Sequence, residues 1–76
     1  MGLRTAYLMA RMYLSSLERE DPISVSGIHG RDRPVLQEAF RIVLRDSPDS
    51  LTSKEWHWEE LSAVGTREEL TAPPTL

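Results

Sequence analysis

The chain has 76 residues, a formal net charge of −3 and no cysteine, so we expect one small domain without disulfides or thiolate metal sites. Its nine basic residues are spread along the chain rather than clustered, which argues against nucleic-acid binding. No apolar run approaches the roughly 20 residues that span a bilayer. We expect a single domain over residues 1–72, a tail over 73–76 and a cytoplasmic location. The mitochondrial matrix is an alternative, because residues 1–17 are amphipathic with two arginines and no acid.

The first predicted helix covers residues 3–19 and has more apolar surface than one core-facing side requires. Apolar residues recur at spacings of three and four, as expected for a helix with one buried side. This stripe consists of Leu3, Tyr7, Ala10, Leu14 and Leu17, widened by Ala6, Met9 and Tyr13. Leu8 and Met12 fall roughly opposite the stripe, and Arg4 and Arg11 lie beside them, one heptad apart. A second apolar patch of this kind indicates a second partner.

Residues 22–31 are predicted to be an extended connector that covers the core. Pro22 ends the first helix, because the residue before a proline avoids the helical region. Apolar and polar residues alternate after it, which leaves a short strand from Ile23 to Ile28 as the alternative. The sequence has no second strand candidate, so such a strand would pair with another chain.

The second predicted helix covers residues 33–45. Asp32 is placed to cap it, and Pro34 lies in the first turn, where its missing N–H costs nothing. Its apolar residues cover an arc of about 200°, which predicts the centre of the core. The polar positions are expected to face water: Gln37, Glu38, Arg41 and Arg45.

The third predicted helix covers residues 53–64, with a capping box formed by Thr52 and Glu55. Its inner side is expected to consist of Trp58, Leu61 and Val64. Gly65 is expected to end this helix in a left-handed conformation. A second capping box, Thr66 with Glu69, then predicts a short C-terminal helical turn. The chain is therefore predicted to be an all-α, small three-helix domain.

Trp56 lies about 160° from Trp58 on the predicted third helix, so both rings are not expected to enter one core. Exposed tryptophans are enriched at protein contacts, which makes Trp56 a candidate contact residue. The equally supported alternative is that Trp56 folds over the connector or the tail, against Pro73.

No residue pattern indicates catalysis or a metal site. His57 and Glu60 are spaced to face one ion, but carboxylate-bridged metal bundles need that pair twice, and His29 has no second ligand near it. Arg31 and Arg33 flank Asp32, which is more typical of a solvated helix start than of an anion site. We therefore predict a chain that is not an enzyme, with no cofactor, no metal and no small-molecule substrate.

These features predict a small non-enzymatic interaction protein, an accessory or structural subunit of a homo-oligomer or larger complex, that binds another protein chain by helix packing. Its predicted contact residues are Arg4, Leu8, Arg11, Met12 and Trp56. The alternative is a small DNA-binding transcriptional regulator with a degenerate helix–turn–helix around residues 56–70, although Glu68 and Glu69 would repel phosphate. Contact of the first helix with a membrane surface is a third possibility.

Overall fold

The computed structural model describes residues 1–21, 23–25, 27–46 and 56–75, and for residue 18 the backbone only. These residues contain three α-helices: α1 at Leu3–Glu18, α2 at Arg33–Asp46 and α3 at Arg67–Thr71. Two short 3₁₀ turns precede α2 and α3, at Gly30–Asp32 and Glu60–Ala63, and no strand is present in the described ranges. The prediction of a small all-α domain with three helices is confirmed. None of the helices described is long and apolar enough to cross a membrane.

The bounds of α1 and α2 agree within one residue with those predicted from the sequence. Pro34 lies in the first turn of α2, as expected. Asp32 ends the preceding 3₁₀ turn, and its carboxylate accepts a hydrogen bond from the Met1 ammonium at 3.1 Å. Residues 23–25 and 27–29 follow an irregular path without a strand, in agreement with the predicted connector.

The chain after residue 55 differs from the prediction of a helix over 53–64. Residues 56–59 form a bend and a turn, and only Glu60–Ala63 is helical, as a 3₁₀ turn. The carbonyl oxygens of Ala63 and Val64, at the end of the predicted helix, accept hydrogen bonds from the α2 side chains of Arg33 and Gln37. The Thr52–Glu55 capping box and residues 53–55 lie outside the described residues.

The second capping box is present at the start of α3. Glu69 N–H donates to Thr66 Oγ1 at 3.2 Å, and Thr66 N–H donates to Glu69 Oε1 at 2.8 Å. The backbone hydrogen bond from Thr66 lowers the pKa of Glu69 below its usual value of 4.5. The short helical turn predicted here is therefore the third α-helix of the domain.

The core lies where α1 and the C-terminal segment, residues 56–75, meet α2. Its buried apolar residues are Ala6, Ala10, Tyr13, Leu14, Val25, Leu36, Ala39, Phe40, Val43, Trp56, Leu61, Val64 and Leu70. Three rings form its centre, with edge-to-face contacts at centroid distances of 5.7 Å for Tyr13–Phe40, 6.1 Å for Tyr13–Trp56 and 5.5 Å for Phe40–Trp56. Burial raises the pKa of Tyr13 above 10, and its hydroxyl accepts the His57 N–H at 3.1 Å.

The prediction that the polar residues of α2 face water is wrong for Glu38, and Gln37 and Arg41 are only partly exposed. Glu38 is only 7% exposed and accepts hydrogen bonds from Thr75 N–H at 2.9 Å and Thr75 Oγ1 at 2.8 Å. Gln37 Nε2 donates to the Val64 carbonyl, and Arg41 Nε donates to the Glu69 carbonyl at 2.6 Å. These side chains hydrogen-bond the main chain of the C-terminal segment at Val64, Glu69 and Thr75. Arg45 is exposed, as predicted.

Gly65 does not adopt the predicted left-handed conformation. Positive φ angles occur, within the described ranges, at Glu20 and Gly27. A Cβ at this position would lie 3.0 Å from Gln37 Nε2, so the Gln37 side chain would have to shift by a few tenths of an ångström. A side chain here would disturb the hydrogen bond from Gln37 to the C-terminal segment.

Candidate functional site

Leu8 and Met12 are exposed next to one another on α1. Leu8 is 54% and Met12 60% exposed, whereas Ala6 and Ala10 on the other side of the helix are fully buried. Side chains four residues apart are neighbours on a helix surface, so the two form one apolar patch. Their predicted exposure is confirmed, and their role as contact residues stays a prediction.

Arg4 and Arg11 are both exposed beside this patch. The Arg11 guanidinium lies over the Tyr7 ring, 5.9 Å from its centroid, and its Nη1 is 3.5 Å from the Tyr7 hydroxyl. A cation above an aromatic face is attracted by the ring electrons, which limits the positions available to the Arg11 side chain. The Arg4 side chain has no partner among the described residues.

The apolar patch lies in a shallow groove of about 340 Å³, which we call the outer groove. Its lining residues are Leu8, Arg11, Met12, Ser15, Arg19 and Ile23. The first five are contributed by α1 and its C-cap, and Ile23 comes from the connector. The groove therefore combines three apolar side chains with two guanidinium groups.

A tight turn at the end of α1 directs the chain back toward the outer groove. Glu20 adopts a φ of 56° after the C-cap residue Arg19. Asp21 N–H donates to the Ser16 carbonyl and Glu20 N–H to the Leu17 carbonyl, both at 3.0 Å, which are the two hydrogen bonds of a Schellman motif. Glycine is usual at this left-handed position, and another residue costs about 1–2 kcal/mol there.

Ser16 then fixes the position of Ile23. The Ser16 side chain is fully buried, and its Oγ donates to the Tyr13 carbonyl at 2.6 Å. The same Oγ accepts the Ile23 N–H at 3.2 Å. Val25, two residues further, is buried in the core. The connector is thus attached on both sides of Ile23, which keeps this side chain against the outer groove.

Trp56 is buried, so the prediction of an exposed contact residue is wrong. It is 4% exposed and packs against Tyr13 and Phe40. The angular argument from the sequence assumed a helix, but residues 56–59 form a bend and a turn. Both tryptophans therefore pack together, with ring centroids 5.2 Å apart. Trp58 is the half-buried one, and the Arg67 guanidinium lies 5.7 Å from the centroid of its ring.

Three groove residues were missed by the sequence reasoning: Ser15, Arg19 and Ile23. Ser15 and Arg19 follow Leu8 by seven and eleven residues, which places them on the same side of a helix, so periodicity alone could have identified them. Ile23 could not be found in this way, because its position depends on the turn at Glu20 and on Ser16.

A second groove, of about 420 Å³, lies between the end of α2 and the C-terminal segment. It is lined by Arg41, Leu44, Arg45, Thr71, Ala72, Pro73 and Pro74. One wall of this groove is the chain after α3, which Glu38 holds through Thr75. The predicted tail over 73–76 is therefore attached to the domain at residue 75.

The structure gives little support to a metal site at His57 and Glu60 or to a helix–turn–helix around residues 56–70. His57 Nδ1 and Glu60 Oε2 are 3.9 Å apart, both about half exposed, and no group of three metal-ligating side chains exists among the residues described. Around the suggested helix–turn–helix, Glu60–Ala63 is a 3₁₀ turn of four residues and α3 has only five. Glu68 and Glu69 are in the first turn of α3, where they would face phosphate.

No family model, curated protein or solved structure matches this chain.

Proposed function

We propose that this chain is a small non-enzymatic interaction subunit, which binds another protein chain by seating a helix of that chain in the outer groove. The observation that carries this proposal is the exposure of Leu8 and Met12, at 54% and 60%, on a helix whose opposite side contributes the fully buried Ala6, Ala10 and Tyr13. The core is built without them, so folding does not explain their apolar character. Contact with another chain does explain it.

The free energy gained by burying Leu8 and Met12 is too small to account for stable binding by itself. Complete burial of a leucine or methionine side chain is worth about 1.5–3 kcal/mol. With 54% of Leu8 and 60% of Met12 exposed, docking adds about 2–3 kcal/mol in total. Micromolar affinity corresponds to about 8 kcal/mol before the costs of association are counted. The remaining affinity has to come from other contacts, and Arg4 and Arg11 are the polar groups beside the patch.

The proposal corrects the predicted contact set in one respect. Trp56 is removed from it because it is buried, and Ser15, Arg19 and Ile23 are added because they line the groove. We further propose a cytoplasmic location, which the absence of cysteine supports, with the mitochondrial matrix as the alternative.

The direct test replaces the apolar patch by charged residues. Leu8→Glu combined with Met12→Lys is expected to leave the far-ultraviolet circular dichroism spectrum unchanged, because both side chains are exposed. The same variant is expected to lower the native mass. Sedimentation velocity of the purified chain detects this loss when the bound chain is a second copy, and size exclusion in an extract of expressing cells detects it when the bound chain is a different protein.

Leu3→Ser is the matched control, since Leu3 is an exposed leucine on the same helix outside the outer groove. This control is expected to keep the native mass of the wild type. An unchanged native mass in the Leu8→Glu, Met12→Lys variant, in both the purified sample and the extract, would contradict the proposed function.

A further inference from the structure

The outer groove carries positive charge that no ion pair among the described side chains neutralises. Arg11 and Arg19 line the groove, and Arg4 lies one helical turn before Leu8 on the same side of α1. All three side chains are exposed, and none forms an ion pair with a residue in the described ranges. Between Leu3 and Leu17 the helix has no acidic residue that would offset them.

We propose that the occupant of the outer groove is an acidic amphipathic helix of a different protein, with its apolar side against Leu8, Met12 and Ile23 and its carboxylates against the arginines. This inference rests on the proposed function and names the chemistry of the partner. The apolar contacts alone are too small for stable binding, so the guanidinium groups supply the selectivity. Arginine suits this role because it binds carboxylates through two parallel hydrogen bonds.

The spacing of the arginines sets a pattern for the partner. At a rise of 1.5 Å per residue, Arg4 and Arg11 are about 10 Å apart along α1, and Arg11 and Arg19 about 12 Å. Two helical turns of a partner helix cover about the same distance. We therefore expect acidic residues about seven positions apart in the partner, with apolar residues between them at spacings of three and four.

A second copy of this chain fits the groove poorly. In a symmetric pair, the same surface of each copy contacts the other. A two-fold axis through the Leu8–Met12 patch would bring the two Arg11 side chains together, and Arg19 would approach the N-terminal end of the other α1. Like charges would then face one another across the contact, which disfavours pairing.

A membrane surface fits less well than a helix. The apolar residues of the groove lie in a recess between α1 and the connector, which matches the side chains of a helix rather than a flat surface. Only two large apolar side chains on this side of α1 are more than half exposed, and neither is aromatic. Helices that insert into the interface present a wider apolar side with tryptophan, phenylalanine and leucine.

The test measures binding of three synthetic helical peptides of about 20 residues to the full chain by fluorescence anisotropy. All three share the same leucine pattern, and the positions seven residues apart are glutamate, glutamine or lysine. The glutamate peptide is expected to bind at least about tenfold more tightly than the other two in low salt, and this advantage is expected to shrink in about 0.5 M salt.

Variants of the chain then locate the binding. Arg11→Gln combined with Arg19→Gln is expected to weaken binding of the glutamate peptide about tenfold, because two carboxylate contacts are lost. Arg31→Gln combined with Arg45→Gln is the matched control, since both residues are exposed outside the outer groove. This control is expected to keep at least half of the wild-type affinity.

The outcomes separate the inference from the proposed function. Equal binding of all three peptides, lost on Leu8→Ser with Met12→Ser, would overturn the acidic partner and leave the proposed function in place. Failure of every peptide to bind would also overturn the acidic partner. Flotation of the chain with phosphatidylserine vesicles, without binding of any peptide, would likewise overturn the acidic partner. The proposed function itself fails only if the Leu8→Glu, Met12→Lys variant keeps the wild-type native mass.

Discussion

The two parts of the molecule that pack on α2 are held by different forces. α1 contacts α2 through buried apolar side chains, with Tyr13 against Phe40 at the centre. The C-terminal segment adds apolar residues of its own, but α2 also holds its main chain through Arg33, Gln37 and Arg41. A helix satisfies its own backbone and needs only one buried side, whereas a segment with little helix needs partners for its main chain. For this reason one side of α1 is left exposed.

The largest expected effect comes from the ring cluster that joins both parts. Phe40→Ala removes a fully buried ring that contacts Tyr13 and Trp56, and we expect a loss of about 3–5 kcal/mol in the free energy of unfolding. Urea denaturation followed by circular dichroism measures this loss. Leu8→Ala is the control, with an expected change within about 0.5 kcal/mol because Leu8 is exposed. Equal losses in the two variants would mean that the exposed side of α1 is part of the core.

The second largest loss of stability is expected to affect the C-terminal segment and not α1. Glu38→Ala removes the carboxylate that accepts two hydrogen bonds from Thr75 and lies 3.4 Å from Arg41 Nη1. Hydrogen bonds to a charged group are worth about 1.5–3 kcal/mol. Because Thr75 is exposed, water can replace part of this contribution, and we expect a loss of about 1–2 kcal/mol.

Hydrogen exchange monitored by nuclear magnetic resonance shows where this loss occurs. We expect the Thr75 amide to exchange faster in Glu38→Ala, while the amides of α1 keep their protection relative to global unfolding. Glu68→Ala removes the same charge from an exposed position and is expected to leave Thr75 unaffected. Faster exchange of the α1 amides as well, beyond the loss of global stability, would show that the two parts do not respond separately.

The smallest effect concerns the turn that ends α1. Glu20→Gly removes the strain of a left-handed glutamate, at the cost of a more flexible unfolded chain, and we expect a gain of about 0.5–1 kcal/mol. Asp21→Gly, one residue later and without a positive φ, is expected to reduce stability instead. Urea denaturation measures whether the free energy of unfolding rises or falls in each variant. A loss of stability in Glu20→Gly would contradict the assigned turn.

The sequence was sufficient for α1, α2 and the start of α3, because the patterns that determine them are local. Periodic apolar residues, Pro34 and the Thr66–Glu69 capping box each act within one or two turns. The same periodicity placed Leu8 and Met12 outside the core. Trp56 was placed wrongly because its position depends on the fold of residues 56–59, which no local pattern determines.

The burial of Glu38 could not be predicted for a related reason. A glutamate in an amphipathic helix normally faces water, and only the position of Thr75, 37 residues away in the sequence, gives this one a partner. Ile23 is a similar case, since its place in the outer groove follows from a left-handed turn at a residue that is not glycine. Local patterns thus identified the patch, and contacts between distant residues complete the groove around it.

The pairing of the two tryptophans has a practical consequence for spectroscopy. Both indoles of the chain are in the C-terminal segment, with ring centroids 5.2 Å apart, and neither lines the outer groove. Intrinsic fluorescence therefore reports on the packing of that segment against Tyr13 and Phe40, whereas a ligand in the outer groove would contact neither indole. A ligand that changes the anisotropy of a labelled peptide without changing tryptophan emission would leave the domain intact, so the chain contains its own optical control for folding.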